Sequence, residues 1–562
     1  MHFSLTHSSK ETMTKIMHAC PATVLALVLG AFSSFAQTPS LVKDGSGGWF
    51  IQGFNGWFTN VNGTLFFDAT DGTTGEALWK SDGTDAGTVL VKDIFPGGAS
   101  GLKEFVNVNG TLFFQANDGT HGYELWKSDG TAAGTVMVKD IYPGSTSSIL
   151  KVGTSYNGSV YFSASDGTAN GYELWKSDGT SAGTVMVRDI NPGAGHGGPS
   201  NLVVSNGTLF FSATTVANGN ELWKSDGTTT GTVLVKDIYT GTGNSGPANL
   251  IDVNGTLFFT VTASIVNGTT LLGYQLWKTD GTAAGTVLVK GNIYSTPPAP
   301  AWFTNVNGTL FFSALTGANG NELWKSDGTT AGTVLVGDNL AASSSPAYLT
   351  NVNGTVFFQR YADATIGYEL WKSDGTDAGT VMVRDIYPGA GSSGPTYLAN
   401  VNGTLFFWAN DGTNGTGLWK SDGTATGTLM VQGFSSSAPF PLTNVNGTWF
   451  FAAYPGLWKL VAGPAGVETL HGPVPSTFAL HQNYPNPFNP STTIGFTIHG
   501  TSFVSLRVYD MLGKEVAALV NEDLRPGTYE TTFSPTGLAS GVYYYTLRAG
   551  SYLESKKLIL MK

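Results

Sequence analysis

Short apolar runs separated by glycine-containing turns repeat nine times along this chain. The fullest copy reads YELWKSDGT, two residues of variable identity, and then GTVMVKDI. Each copy carries one equivalent tryptophan: Trp79, Trp126, Trp175, Trp223, Trp277, Trp324, Trp371, Trp419 and Trp458. Successive tryptophans are 47, 49, 48, 54, 47, 47, 48 and 39 residues apart. A period near fifty, made of short strands and turns, predicts a propeller or a similar array of small sheets.

One repeat unit divides into four predicted strands, at residues 105–108, 111–116, 123–127 and 135–141. An Asn-Gly pair between two apolar runs predicts a tight hairpin, because both residues accept a positive φ. That pair recurs in every unit, with its asparagine at Asn62, Asn109, Asn157, Asn206, Asn254, Asn307, Asn353, Asn402 and Asn446. Runs such as TLFF are apolar on both sides of the strand, as expected where both faces of a sheet are covered. The repeat region is therefore predicted to be all-β, with one four-stranded blade per unit.

The two ends of the array indicate how it closes. The ninth unit stops after its third strand, whereas residues 40–44 near the N-terminus read SLVKD, like the fourth strand of the other units. We expect this N-terminal strand to complete the last blade and close the ring, which removes exposed sheet edges. The count is then nine blades over residues 37–461; eight blades with one unit displaced is the alternative.

The most regular residues are interpreted as structural. A tryptophan at one strand position of every blade is typical of inter-blade core, and the Asp-Gly of each SDGT is typical of a turn. A weaker DGTxG pattern is the only candidate for calcium, at Asp71, Asp118, Asp166 and Asp411. The SDGT aspartates lack the ligand spacing of a calcium loop, and calcium at the DGTxG positions is kept as the alternative. We therefore predict no metal site, no cofactor and no catalytic motif.

Composition narrows the partners and the compartment. Charged residues are only 12 % of the chain and the net charge is −11, which disfavours nucleic acid. Residues 1–36 contain an apolar stretch that follows Lys10 and Lys15 and ends in small residues, as in a secretory signal peptide. Cys20, the one cysteine, lies within it, so the exported chain is expected to hold no thiol. No later segment has the ~18 apolar residues that a membrane-spanning helix needs.

The turns of one propeller face vary, and they hold the candidate ligand residues. Hairpins between strands one and two, and three and four, are nearly uniform, whereas the other connections differ between units. Function concentrates on loops held by a rigid scaffold. The candidates are His196, Tyr294, Trp302, Arg360, Tyr361 and Asp363, with Tyr142, Tyr239 and Tyr387 as further aromatic residues on that face.

The pattern changes after residue 461. Residues 462–475 are rich in glycine and proline and are predicted to be a linker. The motif NYPNPFNP follows, formed by Asn483, Tyr484, Pro485, Asn486, Pro487, Phe488, Asn489 and Pro490. LRVYDMLGKEVAALV, GTYETTF, GVYYYTL and a terminal KKLILMK then predict a small Ig-like β-sandwich. Residues 476–562 resemble the C-terminal type A sorting domain of type IX secretion substrates.

That resemblance implies passage across a Gram-negative outer membrane, followed by release or attachment at the cell surface, with the type IX machinery as a partner. The ELWKSDGT array resembles repeats of uncharacterised bacterial surface proteins, which have no established activity. The favoured function is a secreted or surface-attached non-enzymatic binding or adhesion protein, with a glycan or an extracellular protein as ligand. An extracellular polysaccharide hydrolase or lyase and a structural surface-layer component are the alternatives.

Overall fold

The computed structural model describes most of the chain after residue 36. The described residues are 37–45, 50–51, 58–168, 170–193, 195–266, 269–294, 300–316, 320–337, 343–434, 441–454, 456–462, 468–470, 477–489, 491–500, 502–524, 527–533, 535, 538–550 and 552–561. The predicted signal peptide and most of the predicted linker lie outside these residues. Within them no helix is long and apolar enough to cross a membrane. The chain divides into two compact units, and the division in the sequence falls after residue 465.

The first unit contains nine antiparallel sheets in its described residues, one for each sequence repeat. We call them blades 1 to 9 and rank the strands of each blade in hydrogen-bonding order. The first strands are Thr59–Val61, Lys103–Val108, Ile149–Tyr156, Ser200–Ser205, Ala248–Val253, Ala301–Val306, Ala347–Val352, Thr396–Val401 and Thr443–Val445. The second strands are Thr64–Thr70, Thr111–Asn117, Ser159–Ala164, Thr208–Thr215, Thr256–Val266, Thr309–Thr316, Thr355–Tyr361, Thr404–Asn410 and Thr448–Ala453.

The outer half of each blade follows the same order. The third strands are Ala77–Ser81, Tyr123–Ser128, Glu173–Ser177, Gly219–Ser225, Thr269–Thr279, Gly320–Ser326, Tyr368–Ser373, Thr416–Ser421 and Gly456–Ala462. The fourth strands are Val89–Lys92, Val136–Lys139, Val185–Arg188, Val233–Lys236, Val287–Tyr294, Val334–Leu335, Val381–Arg384, Leu429–Gly433 and Gln37–Asp44. Blade 1 also pairs Phe50–Ile51 with its second strand. The all-β fold and the nine blades predicted from the repeat are confirmed.

The Asn-Gly pairs make the first hairpin of every blade. Each asparagine and its glycine adopt a positive φ, for example 49° at Asn109 and 85° at Gly110. The second strand that follows is covered on both faces. In blade 1, Leu65 and Phe67 pack against blade 9, whereas Phe66 packs against blade 2. This two-sided burial explains why TLFF lacks the alternation of a half-exposed strand.

The N-terminal strand closes the ring, as the sequence predicted. Gln37–Asp44 pairs antiparallel with Gly456–Ala462 of blade 9, and the register runs from Gln37 opposite Ala462 to Asp44 opposite Gly456. Val42 of this strand is buried in the core shared by blades 9 and 1. The Lys459 ammonium donates to the carbonyl of Gly83 in blade 1 at 2.7 Å, across the same junction. The blade that contains both ends of the array is thus joined to its neighbour like the others.

First strands lie at the centre of the ring. First strands of successive blades contact one another, from blade 1 through blade 8, and blade 9 contacts blade 1. Side chains also bridge them: the Asn107 amide donates to the carbonyl of Asn60, and the Asn400 amide donates to that of Asn351. Since blades converge only at the axis, the first strands form the wall of the central channel.

The connection between strands two and three of blade 5 is itself a hairpin. The ladder continues beyond Val261 as far as Val266, which pairs with Thr269. The physical reason is local: β-branched residues flank the Asn-Gly at 267 and 268, which is itself a hairpin signal.

The second unit contains two sheets around one core. One sheet holds Glu468–Leu470, Gly527–Phe533, Thr492–Ile498 and Ala479–Leu480, and the other holds Glu515–Leu524, Ser502–Tyr509, Gly541–Ala549 and Tyr552–Leu560. Alternate residues of Thr492–Ile498 are buried, and they pack with Val504, Leu506 and Tyr545 of the other sheet. This arrangement is a β-sandwich. Glu468–Leu470, within the stretch predicted as linker, forms an edge strand of it.

Candidate functional site

The uniform face of the propeller is locked by its repeated turns. In blade 1 the Asp82 carboxylate accepts hydrogen bonds from the backbone N–H and the hydroxyl of Thr84, and Gly83 adopts a φ of 91°. The same contacts recur at Asp129, Asp178, Asp226, Asp280, Asp327, Asp374 and Asp422. These bonds hold the pKa of the Asp82 carboxyl below its usual range. The SDGT aspartates therefore shape turns.

In seven blades the lysine after the repeated tryptophan links neighbouring blades on this face. Lys80 donates to the carbonyl of Gly130 in the next blade at 2.8 Å, and Lys176 donates to Gly227 at 2.9 Å. Equivalent bonds come from Lys127, Lys224, Lys325, Lys372 and Lys459. The turn of the next blade thus presents a backbone carbonyl at hydrogen-bonding distance from each of these lysines.

The repeated tryptophans lie between blades. Trp126 and Trp175 are almost fully buried, each in a core formed with residues of the preceding blade. A cation from the fourth strand of that preceding blade covers the ring: Lys92 lies 6.0 Å from the Trp126 centroid and Lys139 lies 5.8 Å from that of Trp175. Their faces are thus occupied by the protein itself.

Buried glutamates anchor the connections on the variable face. Glu221, in the third strand of blade 4, accepts backbone N–H groups of Ile238, Tyr239 and Ser245, and also the Ser245 hydroxyl. These residues belong to the connection that leads to blade 5. Burial raises the pKa of Glu221 to about 7, against the opposing effect of these hydrogen bonds. Glu124 and Glu173 do the same in blades 2 and 3, and burial also raises the pKa of each to about 7.

Arg360 does not lie in a loop as predicted. It occupies the second strand of blade 7 with 1 % of its surface exposed, where other blades carry a small residue such as Ala314 or Ala409. Its guanidinium lies 4.6 Å from the Trp371 ring centroid and donates to the carbonyl of Gly337. A long side chain fills the space that alanine leaves between blades, so Arg360 is part of the inter-blade packing.

His196 takes a position that serines occupy elsewhere. Its Nδ1 accepts the backbone N–H of Tyr172 at 3.0 Å, just as the Ser147 and Ser392 hydroxyls accept the N–H of Tyr123 and Tyr368. The His196 and Tyr172 rings are 5.4 Å apart. The imidazole is exposed, but this nitrogen is already used to hold the entry to the third strand.

The remaining predicted candidates lie on separate connections, except Tyr361 and Asp363, which belong to one turn. Tyr361 ends a strand and packs against Tyr368 at 5.1 Å, while Asp363 accepts the N–H and hydroxyl of Thr365 within its own turn. Tyr294 pairs through its backbone with Tyr274 in blade 5. Tyr142 covers Gly167 of the next blade so closely that a β-carbon there would come within 2.3 Å of the ring. The structure therefore does not assemble the predicted residues into one site.

The DGTxG aspartates also serve their own turns. Asp71 accepts the N–H and hydroxyl groups of Thr73 and Thr74, and these bonds lower its pKa. Asp118 accepts the backbone N–H groups of Thr120 and His121. Throughout the part of the chain that the structure describes, no three acidic, histidine or cysteine side chains form a metal-ligand group.

Three aromatic residues follow one another on the first strands of successive blades, at the variable face. Trp302, Tyr348 and Tyr397 begin the first strands of blades 6, 7 and 8, each five residues before the hairpin asparagine. The Trp302 and Tyr348 ring centroids are 4.5 Å apart, and those of Tyr348 and Tyr397 are 6.3 Å apart. Trp302 is 43 % exposed. We call these three residues the aromatic arc.

The three arc residues occupy a position that has the same unusual backbone conformation in other blades. We call this position, five residues before the hairpin asparagine, the register of the first strands. The residue five before the hairpin asparagine has a left-handed backbone in six blades, at Glu104, Asn201, Asn249, Trp302, Tyr348 and Tyr397, with φ between 50° and 59°. Asn249 donates from its amide to the carbonyl of Pro300, just before Trp302. Trp302 was a predicted candidate, but Tyr348 and Tyr397 were missed. Counting back five residues from each Asn-Gly would have found both.

The NYPNPFN segment of the second unit fastens the C-terminal strand. The Asn486 side chain accepts the N–H of Ile559 and donates to the carbonyl of Lys557. Phe488 is buried and its backbone N–H also bonds Ile559. Asn483 is buried too, and its N–H donates to the hydroxyl of Tyr545 at 2.9 Å. Tyr484 is 82 % exposed, and Pro490 lies outside the described residues.

Comparison with known proteins identifies this second unit. Residues 482–561 match the family model of the secretion system C-terminal sorting domain. The resemblance inferred from the NYPNPFNP motif is thereby confirmed. The chain carries a type IX sorting domain, which directs export to the cell surface or out of the cell.

Similar solved structures are distant in sequence. PorZ, a surface component of the type-IX secretion system of Porphyromonas gingivalis, is 12 % identical with a TM-score of 0.29, over 93 % of this chain and 82 % of that one. The β-propeller domain of the Trilobed protease from Pyrococcus furiosus is 10 % identical with a TM-score of 0.29, over 62 % and 96 % of the two chains. Prolyl oligopeptidase B from Galerina marginata is 10 % identical with a TM-score of 0.36, over 81 % of this chain and 56 % of its own length. No match was found among curated protein sequences.

Proposed function

We propose that this exported chain is a non-enzymatic binding or adhesion protein, and that its ligand site is on the variable face at the mouth of the channel. The type IX sorting domain directs the chain to the cell surface or out of the cell. The propeller supplies a rigid frame, because every described blade packs against its neighbours through buried aromatic residues and backbone bonds. Binding sites are commonly carried on such a frame.

The aromatic arc is the observation that carries this proposal. Most aromatic rings of the repeat are buried between blades, whereas Trp302 is exposed with only Tyr348 against its ring among the aromatic pairs of the described residues. A bulky residue rarely adopts a φ near +59°, and such backbone strain is typical of functional positions. Exposed aromatic surface held at a strained position favours a contact with something outside the chain.

The structural role of three glutamates with raised pKa values supports a binding protein rather than a hydrolase. Glu124, Glu173 and Glu221 lie in three different blades and each accepts backbone N–H groups of its own connection. A hydrolase or lyase needs carboxyl groups that reach the substrate as acid and base. These glutamates are engaged in holding loops, which is a structural task.

A binding array combined with an assay of bond cleavage tests the proposal. The purified full chain is applied to immobilised glycans and extracellular matrix proteins, and the same glycans in solution are assayed for new reducing ends or unsaturated products. We expect binding to at least one class without release of fragments. Accumulating fragments would support the hydrolase or lyase alternative. Self-assembly in light scattering, together with an empty array, would support the surface-layer alternative.

A further inference from the structure

We infer that the aromatic arc binds a neutral saccharide chain, with sugar rings stacked along Trp302, Tyr348 and Tyr397. This inference rests on the proposed function and adds the class of ligand. It starts from the contrast around the channel mouth. Three of the six left-handed positions carry the aromatic arc, and the other three carry Glu104, Asn201 and Asn249.

Ring geometry fits flat, partly apolar units arranged in a row. The Trp302 and Tyr348 planes are inclined by 41°, and those of Tyr348 and Tyr397 by 47°, so the rings follow a curved wall rather than a closed stack. A pyranose ring offers a face of C–H groups that packs on an aromatic ring, while its hydroxyls point to the edges. Successive sugars of a chain can therefore use successive blades.

Polar groups border the arc where the hydroxyls of such a chain would lie. Asn249 and Asn201 are exposed side chains of blades 5 and 4, each with its amide directed to the proline carbonyl of the next blade. Their amide oxygens accept hydrogen bonds, and tyrosine hydroxyls both donate and accept. A surface that combines amides with aromatic faces matches a polyhydroxylated ligand better than a purely apolar one.

Charge selects neutral saccharides within this class. The chain has a net charge of −11, and Glu104 occupies the same register in blade 2. Acidic polysaccharides would be repelled by such a field. A quaternary ammonium group is also recognised by aromatic rings, but in a cage that surrounds the cation. The three rings form an open strip, which favours stacking of sugars.

The positive φ of the arc residues indicates that these aromatic side chains have a role other than stabilising the fold. Asn201 and Asn249 show which residue suits the left-handed backbone of this register, because asparagine tolerates it far better than bulky residues do. Blades 6, 7 and 8 nevertheless carry Trp or Tyr there. Packing alone does not require this at Trp302, which leaves 43 % of its surface in solvent, whereas Tyr397 also packs against the core between blades 8 and 9.

Binding of defined oligosaccharides to the purified full chain tests the inference. The probes are the hexaoses of cellulose, laminarin, starch, xylan, mannan and chitin, with a hexamer of galacturonic acid and tetramethylammonium as charged comparisons. Calorimetry gives the affinity, and a change in tryptophan fluorescence that the parent shows and Trp302→Ala lacks reports on Trp302. We expect at least one neutral hexaose to bind, with Trp302→Ala and Tyr348→Ala each weakening it tenfold or more and Tyr348→Phe retaining most of it.

A matched control uses an aromatic residue away from the channel. Tyr454 is 65 % exposed in the turn between strands two and three of blade 9, so it lies on the same face. Tyr454→Ala is expected to bind like the parent. Thermal unfolding of all variants verifies that the propeller remains folded.

Three results would overturn the inference: no neutral hexaose binds, binding is unchanged in Trp302→Ala, or only a charged probe binds through the arc. Each is distinguishable from failure of the proposed function. If the array detects a protein ligand while all hexaoses fail, the binding role stands and the saccharide assignment falls. If the array stays empty and the hexaoses fail, both fall.

Discussion

At the scale of single residues, the same residue type has different tasks according to its depth. Trp175 and Trp302 are both tryptophans of the repeat array, but Trp175 is buried under Lys139 and the core of blade 2, whereas Trp302 faces the channel. Glutamates differ less sharply, since Glu221 is fully buried among several backbone donors and the partly buried Glu104 accepts the backbone N–H of Val152 in the next blade. Residue identity alone does not reveal which task applies.

The first prediction contrasts the two tryptophans. Trp175→Ala is expected to lower the free energy of unfolding by about 3–5 kcal/mol, because it removes a buried aromatic side chain. Trp302→Ala is expected to change it by less than about 1 kcal/mol, since much of the ring is already in water. Denaturant unfolding of both variants measures this. A stable Trp175→Ala variant that has lost ligand binding would instead place the ligand on the repeated tryptophans.

The second prediction concerns pH. Burial raises the pKa of Glu124, Glu173 and Glu221 to about 7 from an ordinary value of 4.5. A raised folded-state pKa means that the stabilisation is complete below about 4.5 and is lost as pH rises through about 7. We therefore expect the thermal midpoint of the propeller to fall by several degrees between pH 5 and pH 8.

Blade 5 provides the matched control for this effect. Gln275 occupies the glutamate position there and is also fully buried. Glu221→Gln should flatten the pH dependence, and Gln275→Glu should steepen it. A midpoint that rises from pH 5 to pH 8 in the parent would contradict the assignment.

At the scale of elements, each blade is a marginal sheet that gains stability from its neighbours. A sheet of four short strands buries both of its faces only when a blade packs on either side. In blade 1, Phe66 packs against one neighbouring blade and Phe67 against the other. The ladder of lysine-to-carbonyl bonds links consecutive turns. Gln37–Asp44 differs from every other fourth strand in its sequence position. It comes from the start of the array, whereas the other strands of its blade come from the end.

The third prediction is that loss of this strand opens the ring. Deleting residues 37–44 leaves the edge of Gly456–Ala462 unpaired and removes Val42 from the core between blades 9 and 1. Each unmet buried backbone group costs about 1–3 kcal/mol, so the total loss is several kcal/mol. Thermal unfolding should show it, and a synthetic peptide of residues 37–44 should restore the midpoint. An unchanged midpoint without the strand would show that closure does not depend on it.

At the scale of the whole molecule, the chain combines two compact units with separate cores. The propeller core consists of repeated inter-blade clusters, whereas the sandwich core is formed by its own two sheets. The sorting motif acts within the second unit, where Asn486 and Phe488 hold the last strand. The propeller fold and the export signal of the sorting domain are thus encoded in different parts of the chain.

The fourth prediction is that the two units can be separated. Deleting residues 476–562 should leave a folded propeller with an unchanged midpoint, because its core clusters are built from propeller residues. The truncated protein should stay in the periplasm of its native host, since the sorting domain is gone. Cell fractionation and surface labelling measure this beside the full chain. Normal surface labelling of the truncated protein would refute the assignment of the address.

The sequence by itself determined the repeat, the strands, the closure and the sorting domain. Asn-Gly turns, two-sided apolar runs and a detached SLVKD strand are local signals, and each has one favourable structural solution. Only the tertiary structure decided which side chains are accessible. Arg360 looked like a loop residue and is buried against Trp371, while Tyr348 and Tyr397 looked ordinary and line the channel beside Trp302. The reason is that blades converge at an axis, and this convergence brings together residues about fifty positions apart that no local pattern relates.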